Sequence, residues 1–147
     1  MADNNSRTFE DLNIGDPLGP VQLFVSKARA RMYAHACGLN FPRFTDDEAA
    51  RQEGLPGIIL PGNMSLGILT RLVTDWLGSG GGRLTRIGTT YRQPVQPDHT
   101  LTLQGFITHT NSEDRTAELD VWIENEDAER LVIGTATVRF PAHPGDG

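Results

Sequence analysis

Histidine, cysteine and clustered carboxylates are the side chains that most readily move protons, attack carbon or hold metal, and this sequence offers few of them. Its histidines are His35, His99, His109 and His143. An unperturbed imidazole titrates near neutrality, which suits proton transfer. None of the four stands in a metal-ligating spacing such as HExxH, and His99 and His109 fall on strand-like sequence without a paired carboxylate pattern. Cys37 is the single cysteine and lacks the signature of a catalytic thiol, so a buried, inert side chain is expected there. Thr45-Asp46-Asp47-Glu48 concentrates acid, but it fits a capping box with Thr45 as N-cap and Glu48 at N3. Gly78-Ser79-Gly80-Gly81-Gly82 has the flexibility of a phosphate loop. It follows a helical segment rather than a strand and carries no Lys-Ser/Thr or GxGxxG pattern, so it reads as a connection. No metal site and no resident cofactor are expected.

The composition bounds what these groups can serve. A length of 147 residues corresponds to one domain, with enough chain for a real core. Thirteen basic against nineteen acidic side chains leave a net charge of −6, which disfavours a phosphate backbone as partner. The hydrophobic fraction is 37%, and no uninterrupted apolar run approaches the ~20 residues of a membrane span. Met1 to Arg7 is polar, without the apolar core of a signal peptide. These features lead us to expect a cytoplasmic single domain over residues 1–147, binding neither nucleic acid nor membrane, with its core over about 9–140 and loosely held ends.

The elements follow from periodicity. Phe9 to Leu18 reads as a loop, and Val21, Leu23 and Val25 alternate as a short strand. Ser26 stands at an N-cap position, and Ala28, Met32 and Ala36 follow at helical spacing before Gly38, which predicts a helix over 27–37. Pro42 interrupts the next stretch and biases Phe41 to an extended conformation. A short helix to Gln52 is then closed by Gly54. Met64 to Leu77 is the most apolar long segment, and its apolar residues cover much of a helix, so burial on most sides is expected. After Arg83 the pattern is β: Leu84 to Arg92, then Leu101, Leu103 and Ile107, then Ala117, Leu119, Val121 and Ile123, then Val132, Ala136, Val138 and Phe140. The last three runs, joined by tight turns, predict an antiparallel sheet with one apolar face. Only the Met64–Leu77 helix is long and apolar enough to cover it. The fold class is therefore α+β, a curved antiparallel sheet wrapped around one central helix.

Phe9-Glu10-Asp11-Leu12-Asn13-Ile14-Gly15-Asp16, Tyr33-Ala34-His35-Ala36-Cys37-Gly38, Ile59-Leu60-Pro61-Gly62-Asn63-Met64 and Arg92-Gln93-Pro94-Val95-Gln96-Pro97-Asp98-His99-Thr100-Leu101 occur in an order that resembles the MaoC-like hot-dog family of R-specific enoyl-CoA hydratases and dehydratases. The resemblance covers roughly Phe9 to Phe140 and implies a hot-dog fold.

It also implies a reaction, and a departure from it. In that family an Asp directly after the Gly and a His five residues later hold the water that adds to C3 of an enoyl thioester, with a proton going to C2. The start of the central helix polarises the thioester carbonyl. Carried over position by position, the Asp place is Leu39 and the His place is Phe44, and neither side chain can relay a proton. The helix start at Pro61, Gly62, Asn63 and Met64 still matches. Leu39 and Phe44 either line an acyl pocket or fill the hole left by the lost pair. The polar residues close to this loop, His35, Asn40, Arg43, Asp46 and Asp47, are the candidates for any substitute chemistry, although capping already accounts for Asp46. Arg83, Arg86 and Arg92 either meet coenzyme A phosphates or are ordinary solvated charges.

The resemblance thus implies an acyl thioester of coenzyme A or an acyl carrier protein as substrate or ligand. It implies a homodimer, or a heteromer with a catalytically complete hot-dog homologue that supplies the missing pair. Two alternatives stand beside a silent subunit: altered chemistry on a thioester in the same groove, and ordinary hydration with a relocated acid and base.

Overall fold

The computed structural model describes residues 7–142. Five antiparallel strands, β1 (Pro17–Phe24), β2 (Arg83–Tyr91), β3 (Thr100–Asn111), β4 (Thr116–Glu124) and β5 (Arg130–Arg139), form one sheet in the order β1-β3-β4-β5-β2. The order is not that of the chain. The long helix α4 (Gly62–Leu77) carries the chain from one edge of the sheet to the other. Each of the four ladders contains one register shift, and such bulges increase local twist and bend a sheet around what it covers. The expected hot-dog arrangement is present.

The alternation read for β3, β4 and β5 meets α4. Leu101, Leu103, Ile107, Leu119, Val121, Ile123, Val132 and Val138 share one buried cluster with Leu69, Leu72, Val73 and Leu77 of the helix. The helix is more open than its composition suggests. Asn63, Gly67, Arg71, Thr74 and Asp75 form an exposed stripe at helical spacing, because the sheet curls around only part of the circumference.

Five local expectations change. β1 begins at Pro17, inside the stretch read as a loop, because Pro17 and Leu18 already pair with Phe106 and Gly105. The first helix, α1 (Lys27–Ala36), is capped by Ser26 as expected, its side chain accepting from the Arg29 amide. Its buried face is Ala30 and Ala34, whereas Ala28, Met32 and Ala36 are exposed, Met32 by 70%. With alanines on both faces, the sequence does not determine which face meets the core. Downstream, the cap of the short helix α3 (Asp47–Gln52) is Asp46, not Thr45: its carboxylate accepts from the Glu48 and Ala49 amides. Thr45 instead ends the single turn α2 (Pro42–Thr45), its hydroxyl donating to the Phe41 carbonyl. Cys37 is exposed rather than buried, since it lies at the end of α1 on the solvent side. His99 does have a carboxylate partner, Glu126, at 3.5 Å. His143 and the chain beyond 142 lie outside the described residues, as do residues 1–6.

Candidate functional site

The loop between α1 and α4 is shaped by backbone chemistry. Gly38 takes a left-handed conformation, φ 71°, which glycine adopts without a Cβ penalty. The Gly38 amide donates to the His35 carbonyl and the Leu39 amide to the Ala34 carbonyl, a Schellman closure that fixes where Leu39 leaves the helix. Phe41 is extended, as Pro42 demands, and Pro42 opens α2. That turn presents Phe44, whose ring meets Phe41 edge to face at 6.3 Å. The Ile59 amide donates to the Arg43 carbonyl at 3.0 Å and the Leu60 amide to the Val95 carbonyl at 2.8 Å, so the segment entering α4 is tied on both sides.

Asp47 locks this loop to α1. Its carboxylate accepts from Lys27 Nζ at 2.8 Å and from the buried Ile58 amide at 2.9 Å, with Arg31 at 3.8 Å. The Lys27 ammonium, then the Ile58 amide, hold the Asp47 carboxyl below its usual pKa. Stability linked to a lowered carboxyl pKa is fully present above the unfolded value of about 3.9 and is lost as pH falls through the folded value. Asp47→Ala should cost about 2 kcal/mol, chiefly by leaving the Ile58 amide buried without an acceptor. In urea titrations, the difference between wild type and Asp47→Ala should therefore shrink as the pH is taken from 5 down past the folded pKa.

The loop and the start of α4 enclose an open cavity of about 550 Å³, lined by Leu39, Phe41, Arg43, Phe44, Pro61, Gly62 and Asn63. Pro61 is the N-cap of α4 and supplies no side-chain acceptor, so the first amides of the helix lack the usual capping bond. Such a helix start carries partial positive charge and can polarise a carbonyl oxygen. Among the described residues the only ionisable lining side chain is Arg43, which pairs with Glu53 at 3.2 Å. The chemistry available in the cavity is thus apolar contact and polarisation.

The sequence candidates separate in space. Leu39, Phe44, Pro61, Gly62, Asn63 and Arg43 come together in this cavity. Met64, one residue further, turns away and lines a second cavity on the other flank of the helix. His35 and Asn40 pair with each other, Nδ1 to Oδ1 at 2.6 Å, on the exposed surface and not in the lining. Asp46 and Asp47 are engaged in capping and in the Lys27 lock. Arg83, Arg86 and Arg92 are exposed along and just after β2. Among the described residues no group of three His, Cys, Asp or Glu converges as a metal ion would require, and no helix is long and apolar enough to cross a membrane.

One residue at the site was not singled out in the sequence. Tyr91, at the end of β2, donates its hydroxyl to the Gly62 carbonyl at 2.7 Å. Its ring lies so close that a Cβ at position 62 would sit 3.0 Å from Tyr91 Cζ. A side chain at 62 would therefore press on the tyrosine ring, which would have to give by a few tenths of an ångström. The available signal was a small residue opening an otherwise bulky helix.

Sheet, central helix and the cavity at the helix start define a hot-dog domain. The chain belongs to the family of the MaoC like domain, whose model matches residues 11–129. Comparison with curated proteins found no match. Among solved structures, the (R)-hydratase from A. caviae involved in PHA biosynthesis is similar, with 18% identity and a TM-score of 0.81, covering 90% of this chain and 99% of the other. The ChsH1-ChsH2 complex from Mycobacterium tuberculosis matches with 22% identity and a TM-score of 0.78 over 88% and 98% of the two chains. The C terminal truncated HadBC complex, a 3R-hydroxyacyl-ACP dehydratase from the same organism, matches with 16% identity and a TM-score of 0.71 over 87% and 98%.

Proposed function

We infer that the protein binds an acyl thioester of coenzyme A or an acyl carrier protein with its carbonyl at the start of α4, and that it serves as the non-hydrating subunit of a hydratase or dehydratase. One observation carries this reading. Leu39 and Phe44, to which the sequence resemblance carries the family's proton-transfer pair, line the same cavity as Gly62. In this reading the binding half of the machinery is kept, while among the described residues the lining holds no carboxylate or imidazole to activate water.

The partner in this reading is a catalytically complete hot-dog homologue. Among the described residues β2 pairs only with β5, and its other edge is where a second sheet can add. Membership of a hydratase and dehydratase family, and fold likeness to two complexes each named for two components, support the same view.

Calorimetric titration of the purified chain with crotonyl-CoA tests it, with enoyl absorbance followed in the same samples. Saturable binding without loss of the enoyl band is expected. Gly62→Val, which places methyl groups against Tyr91 at the cavity wall, should weaken binding about tenfold or more. No binding, or brisk hydration by the chain alone, would sink the reading.

A further inference from the structure

A second cavity, about 640 Å³ and larger than the one at the start of α4, shares no lining residue with it. It lies between the edge strand β1 and the flank of α4. Val21 and Leu23 of β1, Leu103 of β3, and Ile68, Leu72 and Trp76 of α4 make its walls. Val21 is 45% exposed although it lines this cavity, so the apolar wall is open to solvent. A volume of this size is in the range that takes a drug-sized ligand.

Two further features distinguish it from a packing defect. The first is charge. Arg7, Arg29 and Arg71 line it against a single carboxylate, Asp75, on a chain whose net charge is −6. Arg7 is committed: its Nε donates to the Trp76 carbonyl at 2.6 Å and its guanidinium lies 4.8 Å from the Trp76 ring centroid, roofing one end. Arg71 meets Asp75 at 3.4 Å, but both side chains are more than 70% exposed, and such a pair is readily exchanged. Arg29 has no acidic partner within 4.0 Å among the described residues. The second feature is Gly67. It sits inside α4 facing the cavity, and a Cβ built there would meet nothing within 4 Å. A glycine in a helix interior is unfavourable relative to alanine, and here no neighbour requires it. Its effect is to keep the wall open.

From these observations we propose that the β1–α4 cavity is a second ligand site for an amphipathic carboxylate, a chain or ring body lying against Val21, Ile68 and Trp76 with its carboxylate at Arg29 and Arg71. Guanidinium suits this headgroup because its planar donor fork matches two carboxylate oxygens. The proposal is independent of the thioester reading, since it uses the other cavity.

The full chain is titrated with dodecanoate and with cholate, both below micelle-forming concentration, with dodecan-1-ol as the uncharged counterpart. Heat and tryptophan emission are followed together. Trp76 reports on the cavity, while Trp122 sits under Arg130 on β4, 3.8 Å from guanidinium to ring centroid, and is not part of the lining. At least one acid should bind saturably and change the emission. The Arg29→Gln/Arg71→Gln variant should bind it about tenfold more weakly, and the alcohol should bind the wild type more weakly by a similar factor. Gly67→Leu extends into the open wall from a Cβ that meets nothing within 4 Å and favours the helix, so it should fold at least as well as wild type and lose binding. Saturable binding of neither acid would overturn the proposal. Equal binding of the alcohol, or full binding by Gly67→Leu, would overturn it as well.

Discussion

Leu39→Asp combined with Phe44→His should raise enoyl-CoA hydration at least 100-fold above the wild-type chain assayed alone. A positioned general acid or base contributes roughly 10²–10⁴ in rate, and the wild-type lining offers neither. The structure makes this substitution realistic. Leu39 is set by the Schellman closure at Gly38, and Phe44 by the turn that Pro42 opens, so both side chains are presented by backbone hydrogen bonds that the substitutions leave alone. Both are only half-buried against an open cavity, so new polar groups remain within reach of water. The single variants should stay close to wild type, because an acid and base that act on one water work as a unit. Loss of enoyl absorbance on crotonyl-CoA is the readout. Turnover by the wild type comparable to that of the double variant would show that another group moves the protons, and the His35–Asn40 pair would be the first to substitute.

The largest expected effect on stability comes from a glycine far from the site. Gly105 lies in β3, between Leu18 of β1 and Val121 of β4, and is buried. A Cβ there would be driven into the carbonyl oxygen of Asp120 and would lie 2.9 Å from Val121 Cγ1. The first obstacle is backbone, so relief requires the paired strands to separate at the centre of the sheet. Gly105→Ala should therefore lose at least about 3 kcal/mol, the upper part of the range for overpacking. A lower urea midpoint with an unchanged slope is the expected signature. Gly88→Ala is the matched control. It lies on the edge strand β2, where a Cβ meets nothing within 4 Å, and it should stay within about 0.5 kcal/mol of wild type. Equal effects of the two substitutions would show that Gly105 is not required by this close approach.

Much of this protein was legible before its structure. Two-residue alternation marks β3, β4 and β5, because strand side chains must divide between core and solvent. Ser26, Gly38 and Gly54 mark helix ends because unsatisfied amides and left-handed turns restrict which residues can serve there. The apolar run from Met64 to Leu77 identifies the helix that must fill the sheet. The ordered motifs bring Leu39, Phe44 and Gly62 into one expected site, and all three line the observed cavity.

Other features depended on the chain's return to itself. Periodicity records which residues share a face, not which face finds a neighbour. In α1, with alanines on both sides, contact with the rest of the fold selects Ala30 and Ala34 over Ala28, Met32 and Ala36. Thr45 and Asp46 can both cap a helix, and the extra turn opened by Pro42 consumes the first. Tyr91 reaches Gly62 only because β2 returns along the far edge of the sheet after α4. The β1–α4 cavity exists because β1 pairs with β3 on one side alone and the helix does not close over it. Local propensity and hydrophobic period are properties of neighbouring residues and can be read along the chain. The position of a cavity or a tyrosine hydroxyl is set by packing between segments distant in sequence, and only the assembled fold determines it.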